Sequence, residues 1–184
     1  MAHLLPFRPS AALFLGVALL LSGCCANNVC DCQDEQADAL ELRFGAGFSA
    51  AELDTIVVLR SPLPYKPTTK METVTLVRAP AQAQTALVLN NGTPFAQVGT
   101  AKVNAYRYEI QYLAKLPTGR SVPATVLVID STRLRGSLQG DGCCTCYANA
   151  EKVVYATRAK KNRSALDSVL VVDLKQTPYL ELTK

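Results

Sequence analysis

The sequence predicts an all-β protein: a single antiparallel β-sandwich of about seven strands over residues 52–184. Three observations carry this expectation. Between Thr55 and Leu174 the chain holds short runs rich in β-branched and aromatic residues, the composition of strands. Pro, Gly and Asn clusters separate these runs and mark turns. No stretch beyond the first 23 residues carries the 3.6-residue apolar period of a long helix.

In chain order, Ala11 to Leu21 is an apolar run of 11 residues, preceded by Arg8 and followed by Ser22-Gly23-Cys24. A bilayer span takes roughly 20 residues, so this run is too short to cross. It matches instead the charged, apolar and small-residue regions of an export signal. Leu21-Ser22-Gly23-Cys24 resembles the lipobox of bacterial lipoproteins. The resemblance covers residues 1–24 only and says nothing of the domain beyond. It implies that residues 1–23 are removed, that the Cys24 sulfur carries diacylglycerol, and that the new N-terminus takes a further acyl chain of the palmitate kind. Each buried CH₂ contributes about 0.8 kcal/mol, so two or three chains anchor permanently where one alone holds marginally. Residue 25 is Cys and not Asp, and the resemblance therefore implies sorting to the outer membrane, with its periplasmic or outward face left open.

Residues 24–51 read as a polar tether. Its acids Asp31, Asp34, Glu35 and Asp38 fit a solvated linker and a surface-export signal equally well. Ala37 to Arg43 fits a helical turn or a strand. Gly45-x-Gly47-x-x-Ala50 has the spacing of a dinucleotide fingerprint but lacks the preceding buried strand and the following long helix that the fingerprint needs. Ser49 to Glu52 fits a capping box, with Phe48 and Leu53 placed as a hydrophobic staple. A single helical turn there would lead into the first strand.

The predicted strands are Thr55–Arg60, Glu72–Arg78, Ala86–Leu89, Asn104–Leu113, Val122–Asp130, Glu151–Thr157 and Asp167–Leu174. Asn90-Asn91-Gly92 and Leu116-Pro117-Thr118-Gly119 supply turns between them. In Asn104–Leu113, Tyr106, Tyr108, Ile110 and Tyr112 alternate with Arg107, Glu109 and Gln111, the pattern of a half-buried antiparallel strand. The tyrosines are expected in the core; an exposed sugar-stacking row is the functional alternative. Val122–Asp130 is apolar on both faces, as a central strand is, which confines Pro123 to its start. An immunoglobulin-like or transthyretin-like sandwich accounts for these runs, with a small closed barrel as runner-up.

Six cysteines remain besides Cys24, in two groups of three: Cys25, Cys30, Cys32 and Cys143, Cys144, Cys146. An even count in an oxidising compartment favours disulfides, with 15 pairings open. The matching groups suggest pairing between them, stapling the tether to a loop opened by Gly140-Asp141-Gly142. The alternative is a Cu(I) or Zn²⁺ site of four thiolates from Cys30-x-Cys32 and Cys144-x-Cys146. Arg158, Lys160, Lys161 and Arg163 form a basic turn, read as a solvated hairpin tip or as a contact for anionic lipid headgroups.

Composition excludes several classes of function. Without residues 1–23 the chain has 18 basic and 15 acidic side chains, a net charge of about +3. That charge and an envelope location do not suit a nucleic-acid binder. The one histidine, His3, lies in the signal, which removes Ser-His-Asp and Cys-His catalysis and His-ligated metal sites. Ser137 stands in Gly-Ser-Leu-Gln-Gly and not in a nucleophile elbow. The sequence thus predicts a non-enzymatic envelope lipoprotein without a cofactor, its partners the membrane and an envelope protein or glycan. Thiolate metal handling is the alternative, and thiol–disulfide chemistry ranks last.

Overall fold

The computed structural model describes residues 30–159 and 166–184. Cys24, Cys25, Lys160, Lys161 and Arg163, all named above, lie outside the described residues. Nine strands are present among the described ones: β1 (Leu40–Phe44), β2 (Thr55–Pro62), β3 (Glu72–Val77), β4 (Leu87–Leu89), β5 (Tyr106–Lys115), β6 (Ser121–Asp141), β7 (Cys144–Ala159), β8 (Leu166–Asp173) and β9 (Leu180–Leu182). They form a β-sandwich. A six-stranded antiparallel sheet, in the order β3-β2-β5-β6-β7-β8, faces a three-stranded sheet in the order β4-β1-β9. Neither sheet closes into a barrel.

The alternation read from β5 sets the register of the large sheet. Tyr106, Tyr108, Ile110 and Tyr112 are all buried, while Arg107, Glu109 and Gln111 lie on the opposite face. A sugar-stacking row has no exposed rings here. β5 pairs with β2 through Ile110↔Val58 and with β6 through Ile110↔Leu127. Val126 to Ile129 of β6 are buried on both faces, as a strand in the middle of a sheet requires. Pro123 is the third residue of β6 and pairs with Leu113 near the strand's start.

The small sheet supplies the other wall of the core. Leu40, Leu42 and Phe44 of β1, Leu87 and Leu89 of β4, and Leu180 and Leu182 of β9 all face inward and are buried. Fully burying each such side chain contributes about 1.5–3 kcal/mol. Phe48 bridges the two sheets, its ring edge-on to Phe44 at 5.5 Å and to Tyr112 at 5.1 Å. The sandwich therefore begins at Leu40 and not at residue 52, because β1 is the central strand of the small sheet. β1 pairs antiparallel with β4 and parallel with β9, so the first and last strands meet inside one sheet. β4 is as short as β9 but runs into the Asn90-Asn91-Gly92 turn that marks it; β1 and β9 have no such flanking signal, which leaves Ala37–Arg43 open between helical turn and strand and Leu180–Leu182 unpredicted.

The Gly45–Ala50 stretch is a turn between β1 and a 3-10 turn at Ala50–Glu52, and no crossover helix follows it. A Cβ on Gly45 would meet the Leu182 carbonyl oxygen at 3.2 Å and Glu181 at 3.0 Å; this glycine serves the close approach of β9. The predicted capping box is present. The Glu52 carboxylate accepts from the Ser49 backbone N–H at 3.0 Å and from its hydroxyl at 2.9 Å. Phe48 and Leu53, the staple pair, are both buried.

Glu52 is also paired with the Lys184 ammonium. Burial alone would raise its carboxyl, but the bonds from Lys184 and Ser49 outweigh it and hold the group below its ordinary 4.5. A depressed carboxyl contributes stability above the unfolded-state value and loses it as pH falls through the folded one. Glu52→Gln should therefore flatten the fall in stability below about pH 4.5. Denaturation midpoints at pH 7 and pH 3 check this, and an identical fall in both proteins would count against the Lys184 pair.

Arg60 ends the predicted strand Thr55–Arg60, yet its side chain is 3% exposed. It lies in the inward row of β2 between the rings of Phe95 and Tyr106, at 4.5 and 4.4 Å. Its guanidinium donates to Glu72 at 2.8 and 3.1 Å and to the Ala96 carbonyl at 2.9 Å.

Candidate functional site: the stapled hairpin

Of the second cysteine group only Cys143 lies in a turn. β6 runs on to Asp141 and β7 starts at Cys144, so Cys144 and Cys146 are strand residues at the tip of a long hairpin. The turn uses Gly142 at φ 59°, a left-handed conformation in which a Cβ is strained. The last pairing of β7 with β8 is Val153↔Asp173. Beyond it the two strands continue alone as a ribbon, from Leu134↔Lys152 to Asp141↔Cys144. An isolated two-stranded ribbon is marginal in water, and here a different part of the chain braces it.

That brace is the segment read as tether. Cys30 is bonded to Cys144 and Cys32 to Cys146, with Cα separations of 5.5 and 5.3 Å, both within the normal range for disulfides. Each bridge spans 114 residues. Cys143 is disulfide-bonded as well. The expected pairing between the two groups holds for both bridges, and Cys144 is joined to Cys30 rather than to its neighbour. Cys143 and Cys146 stand at Cys-x-x-Cys spacing, a signal that sequence reasoning missed. Cys146 lies on an extended strand and is bonded elsewhere, so the helix N-terminus that activates such a pair in oxidoreductases is lacking.

Downstream of the bridges, a single helical turn, α1 (Asp34–Ala37), lies against β7. The Asp34 carboxylate accepts from the Tyr147 N–H at 2.8 Å. Asp38 is 1% exposed, which departs from a solvated linker. Its carboxylate accepts from the Asn149 amide at 2.9 Å and from the Lys102 ammonium at 2.7 Å. Asn149 also donates to the Ala37 carbonyl, and its own carbonyl accepts from Lys175 at 2.8 Å. Lys102 is held above its ordinary value, first by its bond to Asp38 and also by Tyr147, whose ring lies 3.9 Å from the ammonium. Lys152, in the same region, is lowered by burial. A buried charge must be paired and hydrogen-bonded, so this knot commits residues 30–38 to one position on the ribbon.

Gly136 completes the seat, and its role had no signal in the sequence. The β6–β7 register shifts between Arg135 and Gly136. A Cβ there would lie 2.5 Å from the Ala148 carbonyl oxygen and 2.6 Å from the Tyr147 ring. Gly136→Ala should cost about 1–3 kcal/mol, the usual range for overpacking. Chemical denaturation measures it, and a neutral result would mean that the bulge adjusts freely.

The chemistry open to this site is limited. Ligand atoms of Cys32, Asp34 and Cys146 lie within 4.8 Å of one another. However, the two sulfurs are bonded to each other and present no thiolate, the form that binds metals. Arg158 lies at the far end of β7 from the cysteines. It turns in against β9, donating to the Glu181 carbonyl at 3.1 Å. It lines a cleft of about 500 Å³ with Asp173, Tyr179 and Glu181, between the free edges of the two sheets. No helix among the described residues is long and apolar enough to cross a membrane.

No family model, curated protein or solved structure matches the chain.

Proposed function

We propose that the chain is an envelope lipoprotein, acylated on Cys24 and held at the outer membrane. Its β-sandwich acts as a non-enzymatic structural or binding module toward an envelope protein or glycan. The observation that carries this reading is the join between anchor and domain. Cys30 and Cys32, six and eight residues past Cys24, are covalently bound to the hairpin tip. Such bridges persist outside the reducing cytoplasm, which agrees with an export signal at residues 1–23. The non-enzymatic assignment rests on the placement of the one histidine, His3, which leaves the domain without the usual general base.

Intact mass of the full chain recovered from a membrane fraction tests the anchor. The expected species lacks residues 1–23 and carries the mass of two or three acyl chains. Cys24→Ala should lose that mass and leave the membrane. An unmodified wild type, or a Cys24→Ala protein that stays membrane-bound, overturns the reading.

The proximity of Cys32, Asp34 and Cys146 favours thiolate metal binding as a second reading, with Cu(I) or Zn²⁺ taken up after reduction of the bridges. Metal analysis of reduced protein prepared without chelator decides it. One equivalent of either ion supports it, and sub-stoichiometric amounts of both sink it.

A further inference from the structure

The disulfides also say which end of the domain faces the membrane. We infer that the β6–β7 hairpin tip is the membrane-proximal pole and that the opposite end of the large sheet is presented away from the bilayer. This inference rests on acylation of Cys24, and the occupant of the proximal surface is the lipid headgroup layer.

Chain length limits how far the tip can sit from the acylated residue. Six peptide steps separate Cys24 from Cys30, a reach of about 20 Å at full extension. Cys30 is fixed 5.5 Å, Cα to Cα, from Cys144. The tip therefore stays within roughly 25 Å of the acylated residue whatever the intervening backbone does. From Cys144, β7 runs 15 residues to its end at Ala159; strand rise makes that about 50 Å. Lys115 and Ser121, paired across the β5–β6 turn, mark the same far end. The bridges on Cys30 and Cys32 and the Asp38 knot fix the tether along the ribbon, so the domain cannot pivot freely about residue 38.

The two poles differ in charge. Residues 136–146 expose Leu138 at 66%, and the bridged segment adds the exposed Asp31 and, on the Tyr147 N–H, Asp34, so the tether's reach and not charge attraction brings this pole to the headgroup layer. The far end exposes Lys115 and Arg120, cations that a headgroup contact would draw toward an anionic surface. The reach of the tether sets the order against that attraction. The basic end is then available to an anionic partner away from the membrane and is not the lipid contact.

The chain has no tryptophan, so single-Trp reporters are unambiguous. Full-length, acylated Leu138→Trp and Lys115→Trp proteins, both substituted at exposed positions, are reconstituted into phosphatidylcholine vesicles. The vesicles contain a headgroup-dansylated phosphatidylethanolamine as energy acceptor. Transfer from Leu138→Trp is expected to exceed that from Lys115→Trp several-fold. Replacing Cys30, Cys32, Cys143, Cys144 and Cys146 by serine in the same reporters should shrink the difference, because the tip is then released. Equal transfer from the two bound reporters, or stronger transfer from Lys115→Trp, overturns the orientation alone. Reporters that do not partition into the vesicles overturn the anchor, and the orientation with it.

Discussion

Replacing all six cysteines other than Cys24 by serine should destabilise the domain by about 5 kcal/mol, whereas removing either bridge alone should cost only about 1–2 kcal/mol. The asymmetry follows from where the bridges lie. Each closes a loop across 114 residues, and in the chain-entropy model one such closure restricts the unfolded chain by nearly 5 kcal/mol. The second bridge begins two residues further along both the tether segment and β7. Once the first exists, the second closes only a few more residues and restricts little. Cys143 is bonded too, so it must be replaced for the full loss to be seen. Urea denaturation of the pairwise and complete serine variants measures the non-additivity. If each pair cost half the total, stabilisation would come from packing at the hairpin tip rather than from the unfolded chain.

Arg60 should be the costliest single polar side chain to truncate. Arg60→Ala removes a guanidinium held between Phe95 and Tyr106 and bonded to Glu72 and the Ala96 carbonyl. Three losses combine: a cavity between two rings, a desolvated cation–π pair worth about 1–2 kcal/mol, and a backbone carbonyl left without its donor. Together they predict a loss of about 3–5 kcal/mol. Glu72 adds little, since its side chain is 49% exposed and rehydrates when its partner goes. Arg60→Lys keeps the charge but not the planar fork that fills the slot, and should recover less than half of the loss. Thermal or chemical denaturation checks both variants. Full rescue by lysine would mean that charge alone, not the stacked plane, is what the slot requires.

Much of the large sheet was legible because its strands are long enough to show their period. The tyrosine alternation of β5 and the two-sided apolar run of β6 each announce burial through side-chain chemistry alone. The capping box at Ser49 was equally readable, since all its partners lie within four residues. What failed to show shared one cause, separation along the chain. Arg60 looks like an ordinary strand end until Phe95 and Tyr106 close on it. Asp38 looks like one acid among several until Lys102 and Asn149, 64 and 111 residues away, take its oxygens. Gly136 has no turn context at all; only the Ala148 carbonyl across the hairpin shows why a side chain is excluded.

The cysteines divide the same way. Their count, their grouping and the compartment implied by Leu21-Ser22-Gly23-Cys24 made bridges between the groups the leading expectation from sequence. Which sulfur meets which depended on the strand register of the hairpin, where Cys144 and Cys146 stand two residues apart and face the same side. Sequence by itself thus determined the class of fold, the exclusion of histidine chemistry and the expectation of an anchored, oxidised domain, because those follow from composition and from patterns within a few residues. Only the tertiary structure decided that the tether belongs to the sandwich, that its Asp38 is buried, and that Cys30 and Cys32 are tied to the tip of one hairpin. Those are properties of contacts across more than a hundred residues, and local periodicity carries no record of them.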